Sequence, residues 1–290
     1  MTMRVLLAGM NSFDSGKTQF AIRLSRLLSN EFQSIEYFKP LSGHNYWYHH
    51  EHTKACMEQG LLASLDAMKV RETLNTKTPI ELTNPVHSLF VPMRLERPLQ
   101  NLTNSLGLSG SSSILTMERF SRPKGLGIDT TVLVAQELVE EESLIIGLDE
   151  VGMLSRGAGI QEITSLEEVQ KFERLNFEQH VSQSFTKIEE SADVIVIEGF
   201  NDAAWPWKGL ESVDAVLLVC PGHVFSYDPK RFRKAAFLMK RGNLPIREVT
   251  FSRISDLLKP LGNLELRPES ELTLDDIEHL GVSFRTGKKD

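Results

Sequence analysis

The chain has 290 residues, of which 41% are hydrophobic and 24% are charged, and its formal net charge is -7. This composition is typical of a globular protein, and the negative charge argues against a nucleic-acid partner, which would need a broad basic surface. No apolar run approaches the ~20 residues that span a bilayer, so we expect no membrane partner and predict a cytoplasmic protein.

The chain opens with the pattern of a βαβ unit. The apolar run over 4–9 predicts a buried strand, the apolar stripe over 17–32 predicts a helix, and "SIEYFKP" over 34–40 predicts a second strand. A further helix is predicted within 53–74. Clusters of Pro, Gly, Ser and Asn over 93–130 predict an inserted or irregular region, with a candidate strand at its centre.

The second half of the chain alternates between helical and strand-like patterns. The predicted elements are a long helix over 165–191, buried strands over 192–200 and 213–222, a helix over 228–242, a strand over 246–254 and a helix over 268–281. Alternating strands and helices favour an α/β fold with a mostly parallel sheet.

The segment "GMNSFDSGKT" between the first strand and the first helix has the features of a phosphate-binding loop. It ends in Gly-Lys-Thr, but Asn11 stands where the usual pattern has its first Gly. Asn tolerates left-handed backbone angles, so we expect the turn to form. The groups predicted to meet phosphate oxygens are the backbone N–H groups of Ser15, Gly16, Lys17 and Thr18. Lys17 would neutralise phosphate charge, and the Thr18 hydroxyl would bind Mg²⁺.

A second signal comes from the buried strand "ADVIVIEG", which ends in Glu198. Phosphate-loop enzymes place an acidic residue at such a strand end, where it holds Mg²⁺ directly or through water. We therefore predict that Glu198 is a metal ligand.

Five segments occur in an order that resembles dethiobiotin synthetase and its relatives, the cobyrinic and cobyric acid synthases, within the SIMIBI class of P-loop proteins. They are "GMNSFDSGKT", "YFKPLSGHN", "NPVHSLFVP", "ADVIVIEGF" and "DAVLLVCPG". The resemblance implies a single P-loop NTPase domain over 1–290, built as three layers with helices on both faces of a mostly parallel sheet. It also implies ATP and Mg²⁺ as cofactors, with GTP as the alternative nucleotide.

The sequence pattern and the resemblance together assign residues to the site. Catalytic roles fall to Lys17, Lys39 and Glu198. Nucleotide-binding roles fall to Asn11, Asp14, Ser15, Gly16, Lys17, Thr18 and Gln19. Metal ligands are Thr18, Glu198 and a second acid, for which Glu51 and Asp66 are the alternatives. Substrate-binding candidates are Ser42, Gly43, His44 and Asn201.

One segment departs from the family pattern. After Glu198 the synthetase has a glycine-rich stretch, whereas this chain has "GFNDAAWPW", with Trp205 and Trp207 among its residues. Ser252 and Arg253 stand where such folds often carry an Asn that recognises the base. The sequence therefore predicts a relative that acts on another substrate.

We predict an enzyme that hydrolyses ATP or transfers its γ-phosphoryl group to activate a small anionic substrate. One alternative is a nucleotide-dependent switch that forms a homodimer in one nucleotide state and has partner surfaces at 93–130 and 200–207. A second alternative is a polynucleotide 5′-kinase. The four histidines of "HNYWYHHEHT" have the ligand chemistry of a transition-metal site, but their spacing matches no zinc motif.

Overall fold

The computed structural model describes residues 2–12, 14–95 and 113–284, which form two compact units of mixed α/β structure. Unit 1 comprises Met1–Leu41, Asp66–Thr83 and Phe185–Asp290, and unit 2 comprises Ser42–Leu65 and Asn84–Ser184. Two compact units can belong to one folded domain, so the single domain over 1–290 stays a prediction. No helix of the described residues is both long enough and apolar enough to cross a bilayer.

Unit 1 is built on a six-stranded sheet. Its strands are β1 (Met3–Gly9), β2 (Ile35–Phe38), β8 (Val194–Glu198), β9 (Ala215–Cys220), β10 (His223–Tyr227) and β11 (Gly262–Glu265). Its helices are α1 (Lys17–Leu28), α3 (Leu65–Leu74), α4 (Ile80–Thr83), α8 (Pro229–Met239) and α9 (Leu274–His279). The strand order is β11-β10-β9-β1-β8-β2, so β1 is an inner strand.

Unit 2 is built on a five-stranded sheet in the order β3-β4-β5-β6-β7. Its strands are β3 (Leu41–Asn45), β4 (Val86–Pro92), β5 (Ser113–Lys124), β6 (Gly127–Val134) and β7 (Gly159–Glu162). Its helices are α2 (His50–Gln59), α5 (Gln136–Glu140), α6 (Leu148–Leu154) and the part of α7 (Leu166–Glu189) that precedes Phe185.

The prediction of a mostly parallel sheet is wrong, because both sheets are mixed. In unit 1, β2, β8, β1 and β9 are parallel, but β10 and β11 are antiparallel additions. In unit 2, β4, β5 and β6 pair antiparallel, and β6 pairs parallel with β7. Two-residue connections allow antiparallel pairing only, and such connections follow both β5 and β9. Each contains a left-handed glycine, Gly125 at φ 61° and Gly222 at φ 79°.

The region 93–130 is more regular than its composition predicted. Most of its described part belongs to β5 and β6, and Pro123, Gly125 and Gly127 lie at the hairpin turn between them. Residues 96–112 lie outside the described residues. The predicted strand over 246–254 is wrong, because that segment forms short 3-10 turns at Ile246–Glu248 and Phe251–Arg253.

The aromatic segment after β8 belongs to the core of unit 1. Trp205 and Trp207 are both at most 1% exposed. The Trp207 ring packs against Phe38 and Phe185, with centroid distances of 5.5 and 5.0 Å, and the Trp205 indole N–H donates to the carbonyl of Leu210 at 3.0 Å. The hypothesis that these two indoles form a partner surface is therefore wrong.

We expect Trp207→Ala to lower the free energy of unfolding by about 3–5 kcal/mol, because the missing indole leaves a cavity against Phe38 and Phe185. Urea denaturation followed by circular dichroism measures the change. Trp47→Ala is the matched control, since this side chain is 69% exposed and its loss should change the stability by less than about 0.5 kcal/mol. Equal effects of the two substitutions would contradict the core assignment.

Candidate functional site

The candidate site lies at one edge of the unit 1 sheet. The loop that precedes α1 follows β1, Glu198 ends β8, and Lys39 follows β2 directly. The register aligns Leu7 of β1 with Glu198 and Phe38 of β2 with Ile197. Because the three strands are parallel, their carboxyl ends meet at the same edge and bring these side chains together.

The predicted phosphate loop leads into an uncapped helix start. Lys17 is the first residue of α1, its N-cap Gly16 has φ 85°, and no described side chain caps the helix. The first N–H groups of a helix have no intrahelical partner and carry partial positive charge, so this terminus suits an anion.

The left-handed residue of the loop differs from the predicted one. Asn11 is not among the described residues with positive φ, whereas Asp14 has φ 52°. The argument that Asn11 replaces glycine because of left-handed angles is therefore wrong. The side chains of Asn11 and Asp14 in the loop and of Gln19 in the first turn of α1 are exposed.

The Lys17 ammonium is held close to the loop. It donates to the Ser15 hydroxyl at 3.0 Å and to the backbone carbonyl of Asn201 at 2.6 Å, and the residue is only 8% exposed. Burial lowers the pKa of Lys17 below its usual value, although the negative charge of Glu198 acts in the opposite direction. Asn201 thus contributes its main chain here, and its predicted role in substrate binding stays a prediction.

Gly9 makes this arrangement possible. A Cβ atom at Gly9 would lie 2.6 Å from the Lys17 Nζ, 2.7 Å from the Asn201 carbonyl oxygen and 3.0 Å from the Ser15 hydroxyl. The end of β1 therefore has room only for glycine while Lys17 keeps its place.

Glu198 is the centre of the polar cluster. Its carboxylate is 1% exposed and accepts hydrogen bonds from the Tyr37 hydroxyl at 2.8 Å and the Lys39 ammonium at 2.8 Å. The Thr18 hydroxyl lies 3.2 and 3.3 Å from its two oxygens. Burial, together with the negative charge of Glu198, raises the pKa of Tyr37, so the phenol stays protonated and can donate.

Asp66, in the first turn of α3, joins the same cluster. Its carboxylate accepts a hydrogen bond from Lys39 at 2.5 Å. Burial would raise the pKa of Asp66, but the Lys39 charge outweighs it and lowers that pKa below its usual value. Burial would likewise lower the pKa of Lys39, but the charges of Glu198 and Asp66 raise it above its usual value. Lys39 and Asp66 are therefore both charged at neutral pH.

Glu51 and Asp66, the two alternatives for the second acidic metal ligand, have different surroundings. Asp66 contacts the Thr18–Lys39–Glu198 cluster. Glu51 lies in unit 2, where its carboxylate is 88% exposed and pairs with Lys54 at 3.0 Å. Sequence analysis did not identify Tyr37 as a site residue, although its position in the strand just before "KP" places it next to Lys39.

The substrate-binding candidates Ser42, Gly43 and His44 lie on β3, at the boundary where unit 2 begins. Ser42 and His44 are buried in a chain of hydrogen bonds: the Ser42 hydroxyl is 2.5 Å from His87 Nδ1, His87 Nε2 is 2.7 Å from His44 Nδ1, and His44 Nε2 is 3.0 Å from the Thr53 hydroxyl. His87 was not predicted, although it lies within the quoted segment "NPVHSLFVP".

The histidine-rich segment shows no metal centre. Among residues 2–12, 14–95 and 113–284, no three His, Cys, Asp or Glu side chains are grouped to hold a metal ion. His44 is hydrogen-bonded as above, and His52 Nε2 lies 2.8 Å from the carbonyl of Ala63. Burial, together with His52 and His49, lowers the pKa of His44 to about 3.

Comparison with known proteins adds no assignment, since the chain matches no family model, no curated protein and no solved structure.

We expect Gly9→Ala to lower the free energy of unfolding by about 1–3 kcal/mol, because the added methyl group overlaps the Asn201 main chain, which cannot move as freely as a lysine side chain. Urea denaturation tests this. The matched control is Gly152→Ala in α6, where no described heavy atom lies within 4 Å of the new methyl group, and where alanine should stabilise the helix. A Gly9→Ala variant as stable as the unaltered protein would contradict the crowding.

The buried His44 should make stability depend on pH. Its pKa is about 3 in the folded state and near 6.5 in the unfolded state. Between these pH values the unfolded chain binds a proton at His44 and the folded chain does not. This contribution is complete above pH 6.5 and is lost as the pH falls from 6.5 toward 3. Between pH 7.5 and 5.5 the unaltered protein should lose about 1 kcal/mol more stability than His44→Gln, as measured by urea denaturation. Equal losses would contradict the neutral buried imidazole.

Proposed function

We propose that this chain is a magnesium-dependent P-loop ATPase that hydrolyses ATP, or transfers its γ-phosphoryl group, to activate a small anionic substrate. The observation that carries the proposal is the convergence of the Thr18 hydroxyl on the Glu198 carboxylate, directly beside an uncapped helix N-terminus that begins with Lys17. The choice of ATP over GTP follows from the resemblance to dethiobiotin synthetase.

The loop has the groups that a polyphosphate requires. The N–H groups at the start of α1 supply donors, and Lys17 supplies a positive charge within the same turn. Its present partners are a neutral hydroxyl and a carbonyl, so a phosphate oxygen would be the stronger acceptor.

The acidic cluster has the ligand chemistry of a magnesium site. The Thr18 hydroxyl and the carboxylates of Glu198 and Asp66 are hard oxygen ligands, and Mg²⁺ in nucleotide enzymes uses one or two carboxylates together with waters and phosphate oxygens. Two protein carboxylates are therefore sufficient, and we assign Asp66 rather than Glu51 as the second acid. When bound, Mg²⁺ would neutralise charge on the phosphate oxygens.

The remaining residues have supporting tasks in this proposal. Tyr37 donates to Glu198 Oε2 and fixes the orientation of the carboxylate. Lys17 and Lys39 provide positive charge for the transferred phosphoryl group, which is where phosphoryl-transfer enzymes need it. Ser42, Gly43, His44 and Asn201 stay the candidates for substrate binding.

We expect Lys17→Ala to weaken ATP binding by on the order of 100-fold or more, because it removes a charged hydrogen bond to phosphate. Glu198→Gln should still bind ATP but lose magnesium-dependent turnover, since the amide is a poorer metal ligand. Calorimetric titration with ATP and GTP, with and without Mg²⁺, measures binding, and phosphate release measures turnover. Lys54→Ala, which removes an exposed charge, is the control.

Unchanged turnover in both site variants would overturn the site assignment. Failure of the unaltered protein to bind either nucleotide would overturn the proposed function. Turnover that rises only when a protein partner is added, and not with small anions, would favour the nucleotide-dependent switch over the enzyme.

A further inference from the structure

The ammonium of Lys39 occupies the point where the two acidic residues of the cluster converge. Its Nζ lies 2.8 Å from Glu198 Oε1 and 2.5 Å from Asp66 Oδ2. The Lys39 side chain is 7% exposed and that of Glu198 is 1% exposed, whereas that of Asp66 is 40% exposed. One fixed positive charge therefore bridges two carboxylates, and water reaches the pair mainly from the Asp66 side.

The atoms around this ammonium are those that a divalent cation would use. Besides the two carboxylates, the Thr18 hydroxyl lies within hydrogen-bonding distance of both Glu198 oxygens. An ammonium has three N–H donors, and Mg²⁺ prefers the same hard oxygen atoms. An ammonium and a dication on one carboxylate pair would repel each other strongly at these separations.

We propose that Lys39 is the resident counter-cation of this site, holding Glu198 and Asp66 together in the nucleotide-free protein and competing with Mg²⁺ for them. This inference rests on the proposed function only in naming the cation, because the two ion pairs join residues of unit 1 whatever the nucleotide is. Its consequence is that Lys39 must give up at least one carboxylate when Mg²⁺ binds. The nucleotide-free protein then has low affinity for divalent cations, and the metal binds effectively only with the nucleotide.

This role differs from a simple structural ion pair in a way that can be measured. If Lys39 only stabilises the fold, its removal leaves two unpaired carboxylates and lowers stability, without creating a selective cation site. If Lys39 occupies the cation position, its removal exposes two preorganised carboxylates and a hydroxyl, and a divalent cation can take its place.

The experiment is a titration of the nucleotide-free, full-length protein with Mn²⁺, in which the free ion is followed by electron paramagnetic resonance. Lys39→Met keeps the length of the side chain and removes its charge. We expect it to tighten the Mn²⁺ dissociation constant at least tenfold relative to the unaltered protein. Adding Asp66→Asn to Lys39→Met should abolish the gain. Lys54→Met, which breaks an exposed ion pair with Glu51, should leave Mn²⁺ affinity unchanged.

A second variant covers the case in which Lys39→Met does not fold. Lys39→Gln keeps an N–H donor for Glu198 but carries no charge, and its thermal midpoint should rise on addition of Mn²⁺ or Mg²⁺, whereas that of Lys39→Arg should not. Equal Mn²⁺ affinity in the unaltered protein and the Lys39 variants would overturn the inference. A gain that survives Asp66→Asn would overturn it as well.

The test of the counter-cation is independent of the test of the proposed function, because ATP binding is measured in a separate titration. A gain of Mn²⁺ affinity in a protein that does not bind ATP or GTP would support the counter-cation and overturn the nucleotide function. ATP binding without a gain of Mn²⁺ affinity would support the nucleotide function and overturn the counter-cation.

Discussion

The buried carboxylate of Glu198 is the constraint on which the rest of the site depends. A charge that is 1% exposed has lost nearly all of its hydration, and this loss is tolerable only if protein donors replace the water. The donors come from both neighbouring strands: Tyr37 and Lys39 from the end of β2, and Thr18 from the helix that follows β1. Because β8 lies between β1 and β2 and is parallel to each, the carboxylate at its end can reach the donors that follow both of these strands.

A cluster of this kind contributes little net stability, since the cost of burying its charges offsets most of their attraction. Ion pairs that are replaced by well-packed apolar side chains often leave a protein equally stable. Net stabilisation therefore does not account for the cluster, and the proposed function gives it a role that agrees with the tendency of perturbed ionisable groups to gather at functional sites. The close packing around Gly9 likewise adds no stability of its own. The position lacks a side chain, and the Lys17 ammonium lies where a Cβ atom would otherwise be crowded.

The parts of the structure that could be predicted from the sequence are those fixed by local pattern. The opening βαβ unit, the helix after Gly-Lys-Thr and the strand that ends in Glu198 each have a continuous apolar run or stripe. Strand partners could not be predicted, because periodicity identifies a strand but not its neighbour. Two tight turns, at Gly125 and Gly222, therefore reversed the expected direction of pairing. Likewise, Asp66 and Glu51 could not be distinguished, since each is an acidic residue near the start of a helix, and only the tertiary structure places one of them beside Thr18.

The position of β1 has a consequence for synthesis of the chain. β1 is made long before both of its neighbours in the sheet, β8 and β9, because Met3 pairs with Val194 and Gly9 pairs with Val219. At about 5–20 residues per second, a ribosome needs on the order of 10–40 s to supply the first of these neighbours. During that interval a mostly apolar strand has neither of its lasting partners, and its two hydrogen-bonding edges are open to other chains. Until β8 is made, β1 is thus a segment of the nascent chain that a chaperone would protect from pairing with other chains.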